Sequence, residues 1–140
     1  MGPVRLRLAG LVALGGAVGT SARAGLETAF APEAGTWPWT TFAINLVGSF
    51  LLGVLLERLA RSGPDDGWRR RARVLVGTGV LGGFTTYSTF ALEVDRLVDA
   101  GHAGLGVAYA LGSVVLGVLA SGAGILLAGT LGRRGGAGRA

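Results

Sequence analysis

The run from Val74 to Leu92 carries no charge and is long enough to cross a bilayer, which takes about 20 apolar residues. It is nevertheless unlike a membrane anchor. Gly77, Gly79, Gly82 and Gly83 interrupt it, and Thr85-Thr86-Tyr87-Ser88-Thr89-Phe90 follows, crowded with hydroxyls and aromatic rings. Backbone that leaves helical geometry at membrane depth is tolerated only where it is buried in protein or lines a wet cavity. Broken membrane helices also free carbonyls that bind ions. The stretch therefore predicts an ion-handling centre in a helical membrane protein, with the break at Gly82-Gly83, where glycine leaves helical geometry cheaply.

The rest of the chain is consistent with that environment. Only 15% of its 140 residues are charged and half are apolar, against about a quarter charged in a soluble domain. With no cysteine, disulfides, thiolate metal sites and thiol catalysis are excluded. The net charge of +5 comes from thirteen arginines and no lysine. No basic face with interleaved aromatics lies outside the apolar runs, so a nucleic-acid partner is not expected.

In order, Arg5 and Arg7 precede a first span that ends at about Phe30; it is read as retained rather than as a signal peptide. Gly15 and Gly19 stand four apart, a spacing that lets helix backbones approach closely. Arg23 either turns inward to a functional role or caps the span by snorkelling. A turn over residues 31–38, with Pro32, Pro38 and Trp37, leads into a second span from about Trp39 to Leu59. Its Asn45 is either an interhelical hydrogen bond or a pore-facing donor. Residues 57–73 form an arginine-rich loop, and the third span runs from Val74 to about Val98. After a link over residues 99–102, in which the lone His102 reads as solvated, the last span extends from Ala103 to Gly132. There Tyr109, Ser113, Gly117 and Ser121 recur every four residues, a packing face by default or else a track of hydroxyls. A single four-helix membrane domain over residues 1–132 and a disordered basic tail over 133–140 complete the expected organisation.

Four spans place both termini and the middle loop on one side, with eleven arginines, against Arg23 and Arg96 on the other. The positive-inside rule then predicts a multi-pass protein of the plasma membrane with both termini cytoplasmic. Enzyme chemistry has little to work with. Gly77-x-Gly79-x-x-Gly82 matches a dinucleotide fingerprint but lacks the βαβ setting that gives it meaning. Glu93, Asp95 and Asp99 read as a solvated helix end, which leaves no acid inside a span. A proton-coupled four-helix multidrug exporter usually needs one. A non-conducting scaffold would explain the glycine faces but not the hydroxyl–aromatic cluster. Tyr87 and Phe90, three apart, share a helix face, and ring edges carry the positive part of the aromatic quadrupole. With Ser88 and Thr89 they could make an electropositive, uncharged passage for a small, strongly hydrated anion, or they could merely glue helices together.

The segment Gly82-Gly83-Phe84-Thr85-Thr86-Tyr87-Ser88-Thr89-Phe90 closely resembles the G-G-x-T-T-F-S-T-F signature of the CrcB/Fluc fluoride channels. Residues 15–23 (GGAVGTSAR) and 41–50 (TFAINLVGSF) match further family motifs in the same order. The resemblance implies an antiparallel dimer of four-helix subunits with two fluoride pores and passive fluoride exit. It implies a structural, untransported sodium ion held by the backbone carbonyls of Gly82 and Thr85. It also implies a fluoride pathway past Asn45, Tyr87, Ser88, Thr89 and Phe90, with Tyr109 and Ser113 from the last helix. Two departures stand out. Tyr87 replaces the usual phenylalanine, and eleven arginines against two is not the balanced charge of chains that insert both ways round. The partner is then a second copy of this chain or an oppositely oriented homologue, and the imbalance predicts insertion in one orientation and so favours the homologue.

Overall fold

The computed structural model describes residues 2–136, the side chains of residue 3 and residues 132–136 excepted. The described residues are all helical or connecting, without strands. Helix α1 (Pro3–Ala29) begins with proline in its first turn, where the missing N–H has no helical partner to lose. Helix α2 (Trp39–Ser62) follows the turn, and a short α3 (Gly67–Ala72) lies in the arginine-rich loop. A π-helical segment, Arg73–Leu81, runs into α4 (Gly82–Phe84); α5 (Ser88–Asp99) and α6 (Ala103–Gly136) complete the chain. Helices α2 and α6 are long and apolar enough to cross a membrane. At 27 residues, α1 is about 40 Å long, more than the roughly 30 Å of a hydrocarbon core. The last helix continues through residues 133–136, four residues into the expected tail; residues 137–140 lie outside the described residues.

Glycine sets how closely the helices approach. A Cβ on Gly15 would run into the Leu75 carbonyl oxygen, and one on Gly19 into that of Val80. Gly79 and Gly83 meet the same face of α1 at Gly15, Gly16 and Thr20. The four-residue spacing thus serves backbone contact, as expected. On the other side of the molecule, Gly53 abuts the Ser121 carbonyl, Gly124 that of Phe50, and Gly117 approaches Ser49. The recurring small residues of α6 are, from Gly117 onward, a packing face.

These contacts also fix direction. Helix α1 runs parallel to the π-helical segment, and α2 parallel to α6. Between the pairs, Gly48 lies against Thr85 and Gly77 against Leu52 and Leu55, so the two pairs run antiparallel. One end therefore gathers Arg5, Arg7, Arg58, Arg61, Arg69, Arg70, Arg71 and Arg73, and the other Arg23 and Arg96. At the arginine-rich end the loop is tied by Arg69, which donates to the carbonyls of Pro64 (2.6 Å) and Ser62 (3.2 Å). Asp65 accepts from Arg73, which holds its carboxyl below the usual aspartate range.

At the other end α5 stops in a Schellman cap. Gly101, at φ 82°, lets its own N–H reach the Val98 carbonyl and the His102 N–H reach that of Leu97, satisfying carbonyls the helix end would strand. Trp39 faces outward, while Trp37 turns inward against Phe42 and Tyr109, edge to face with each at 5.4 Å.

Candidate functional site

The interruption of the third span does not fall where the sequence suggests. Gly82 is helical (φ −65°, ψ −34°) and belongs with Gly83 and Phe84 to a helical turn. The chain leaves the helix at Thr85 (φ −76°, ψ 156°) and re-enters at Ser88. Gly79 and Gly83 serve contact with α1, whose backbone leaves no room for a Cβ at either, whereas a Cβ on Gly82 would meet nothing closer than the Gly77 carbonyl oxygen at 3.8 Å. The break itself is made by threonines and one asparagine.

Asn45, projecting from α2, holds both backbone groups of Thr86. Its Oδ1 accepts the Thr86 N–H at 2.9 Å, and its Nδ2 donates to the Thr86 carbonyl at 3.0 Å. The Thr86 hydroxyl in turn accepts the Thr89 N–H at 3.1 Å and lies 3.2 Å from the hydroxyls of Ser88 and Thr89. The consequence is specific. A continuous helix would send the Thr86 N–H to the Gly82 carbonyl and the Thr89 N–H to the Thr85 carbonyl. Both donors are diverted, and among the described residues no other donor replaces them, so these two carbonyls are freed. The intervening Gly83 carbonyl is occupied, by Arg23 Nε at 3.2 Å and the Thr20 hydroxyl at 3.4 Å. Arg23, which also pairs with Glu27 at 3.2 Å, therefore turns inward to brace the break and does not reach the cavity.

A cavity of about 340 Å³ opens beside the break, lined by Asn45, Gly82, Thr85, Tyr87, Phe90 and Ser113 among others. Six of the ten residues named from the sequence meet there. Ser88 and Thr89 reach it only through the Thr86 hydroxyl. Tyr109 lies behind Phe90, ring centroids 5.3 Å apart, and is wholly buried. The donors facing the cavity are uncharged. Asn45 has a second amide N–H beyond the one given to Thr86, and the Ser113 hydroxyl is buried without a partner among the described residues. An unpaired buried hydroxyl costs about 1–3 kcal/mol, so a group that supplies the missing bond is favoured there. Tyr87 and Phe90 stand 6.0 Å apart at the mouth, Tyr87 being 80% exposed.

Glu93 overturns a sequence expectation. It is 7% exposed, not a solvated helix end. Thr41, from α2, donates to its Oε1 and Tyr109, from α6, to its Oε2, both at 2.7 Å. An acid therefore does lie inside the helical bundle, which removes the ground on which the sequence disfavoured a proton-coupled exporter. Glu93 also lines a second cavity, of about 380 Å³, beneath the loop over residues 32–38 and beside Arg96. Asn45 and Phe90 both line the first cavity, and from Phe90 through Tyr109 to Glu93 the side chains follow in contact toward the second. The available sequence signal was phase, since Phe90, Glu93 and Leu97 (i, i+3, i+7) fall on one helix face, whereas Asp95 and Asp99 fall outside it.

Residues 10–125 match the family model described as CrcB-like protein, Camphor Resistance (CrcB). Similar curated proteins include fluoride-specific ion channel FluC 2 of Leifsonia xyli, 51% identical over 89% of this chain and 85% of its own length. The fluoride-specific ion channel FluC of Novosphingobium aromaticivorans is 53% identical over 76% of this chain and 84% of its own. FluC 1 of Cutibacterium acnes is 50% identical over 80% and 78%.

Proposed function

The chain belongs to the CrcB-like family, and from that premise we propose that it is a fluoride-selective channel through which fluoride leaves the cytoplasm passively. The observation that carries this reading is the cavity beside the break, which Asn45 with its free N–H, Ser113 with its orphaned hydroxyl and the rings of Tyr87 and Phe90 line together, with no cationic side chain among them. A small anion enters such a site only if donors replace its water. Neutral donors replace that water without holding the ion permanently, and conduction requires both entry and exit. Glu93, with Thr41 and Tyr109 donating to it, marks the far end of the pathway behind Phe90. The family is one of ion channels, so the protein's work is permeation and selectivity, with no catalysis.

Gly82 and Thr85 offer two neutral, hard carbonyl oxygens, a donor set suited to a hard monovalent cation such as sodium. A bound sodium ion supplies a structural cross-link and a fixed charge and is not transported. Two oxygens leave coordination incomplete in one chain, and the exposure of Gly82, Tyr87 and Ser88 supports a second subunit over this face, arranged antiparallel. The eleven-to-two arginine bias supports insertion with both termini cytoplasmic and an oppositely oriented homologue as partner.

The test is ion efflux from liposomes containing the purified chain, alone and with a candidate partner, without a pH gradient. Fluoride loss with chloride retained is expected. Fluoride retention in both preparations would refute the reading, and transport that appears only with a proton gradient would favour an exporter built around Glu93.

A further inference from the structure

The acids at the arginine-rich end are already engaged. Glu57 pairs with Arg61, Asp66 with Arg69 at 2.9 Å, and Asp65 with Arg73. Among the described residues this leaves Arg5, Arg7, Arg58, Arg70 and Arg71 at that end without an acidic partner, all of them exposed. Trp68 projects beside them, 61% exposed, with the Arg69 guanidinium carbon 5.9 Å from its ring centroid. Helix α3, which carries Trp68, Arg70 and Arg71, is tied between the end of α2 at Ser62 and the uncharged run beginning at Val74. In a chain that spans a bilayer, a link this short holds α3 at headgroup level. The loop is also held in shape by Arg69 on the Ser62 and Pro64 carbonyls, so the arginines are presented on a fixed support. Unpaired arginines and an exposed indole at that depth complement one kind of surface. Guanidinium forks bind phosphate oxygens in pairs, and indole rings settle between headgroup and acyl chain.

We propose that this end of the molecule binds the phosphate headgroups of anionic phospholipids, through Arg58, Arg70 and Arg71, with Trp68 seated at the headgroup–acyl boundary. The inference requires the chain to lie in a bilayer but does not depend on which ion it conducts.

The test is native mass spectrometry of the full chain released from micelles holding equal phosphatidylglycerol and phosphatidylcholine, in about 0.15 M salt, a physiological ionic strength. Retained lipid should be enriched in phosphatidylglycerol, and each arginine changed to glutamine should lower that enrichment by up to about fivefold. R58Q/R70Q/R71Q should bring it near parity, whereas R58K/R70K/R71K should keep most of it. If the triple glutamine variant does not fold, R71Q alone decides, an unchanged preference counting against the proposal. A second readout is quenching of tryptophan fluorescence by brominated phosphatidylglycerol, part of which should vanish in W68F. Equal retention of both lipids by the unmodified chain would overturn the proposal. So would displacement of the lipid by millimolar inorganic phosphate, which would reassign the site to a soluble anion.

Discussion

Replacing Asn45 by alanine tests the break most directly. The side chain gives Thr86 two hydrogen bonds, at 2.9 and 3.0 Å, and Thr86 is buried. Each orphaned buried backbone group costs about 1–3 kcal/mol, giving roughly 2–6 kcal/mol for the pair. Side-chain bonds between membrane helices average only about 0.6 kcal/mol, because the groups find other partners once separated. Here such partners exist only in a continuous helix, the Gly82 carbonyl for the Thr86 N–H and the Phe90 N–H for the Thr86 carbonyl. Thr86 can reach them only by closing the break and taking away an oxygen of the proposed sodium site. Asn45→Ala should therefore either lose stability near the upper part of that range or recover part of it with the pathway collapsed, and fluoride efflux should fall in both cases. Asn45→Asp keeps the acceptor for the Thr86 N–H but sets an oxygen against the Thr86 carbonyl, and should retain about half the clamp while repelling the anion. Unfolding equilibria in mixed micelles, read alongside liposome efflux, measure both quantities. An alanine variant within about 0.5 kcal/mol of the unmodified chain, the scale of an uninvolved surface substitution, and with unchanged efflux would refute the argument.

Ser113→Ala should separate stability from function. It removes a buried hydroxyl without a partner, so stability should hold or rise by about 1 kcal/mol while fluoride efflux drops. Glu93→Gln keeps the shape but puts an amide N–H₂ opposite either the Thr41 or the Tyr109 hydroxyl. A loss of about 1–3 kcal/mol is expected, and a double-mutant cycle with Tyr109→Phe should reveal coupling above about 0.5 kcal/mol; additive effects would mean the hydroxyl and carboxyl act separately. Gly19→Ala forces a methyl into the Val80 carbonyl and should destabilise by about 1–3 kcal/mol, whereas Gly16→Ala, where a Cβ meets open space, should not. Asp65→Asn frees Arg73 and should raise the preference for anionic lipid. In the unmodified chain the same release needs a pH below the ordinary aspartate range, because the folded-state pKa is depressed.

The sequence alone determined that the chain is helical, of a membrane-protein kind, and roughly where its long helices lie. Charge placement and apolar run length are properties of a one-dimensional string, and a bilayer reads them as such. It also singled out Asn45, Tyr87, Phe90 and Ser113 as candidates by residue type, with packing an equal or default alternative until the family resemblance was added. Only the tertiary structure decided what those residues touch. Gly82-Gly83 pointed to a break by propensity, yet both are helical, Gly83 in contact with α1, and Asn45, forty-one residues from Thr86, moves the break to Thr85. Glu93 resembled its solvated neighbours Asp95 and Asp99 until α2 and α6 brought Thr41 and Tyr109 to its two oxygens. Burial and hydrogen-bond satisfaction depend on residues far apart in the chain, and a propensity or a charge count carries no record of them.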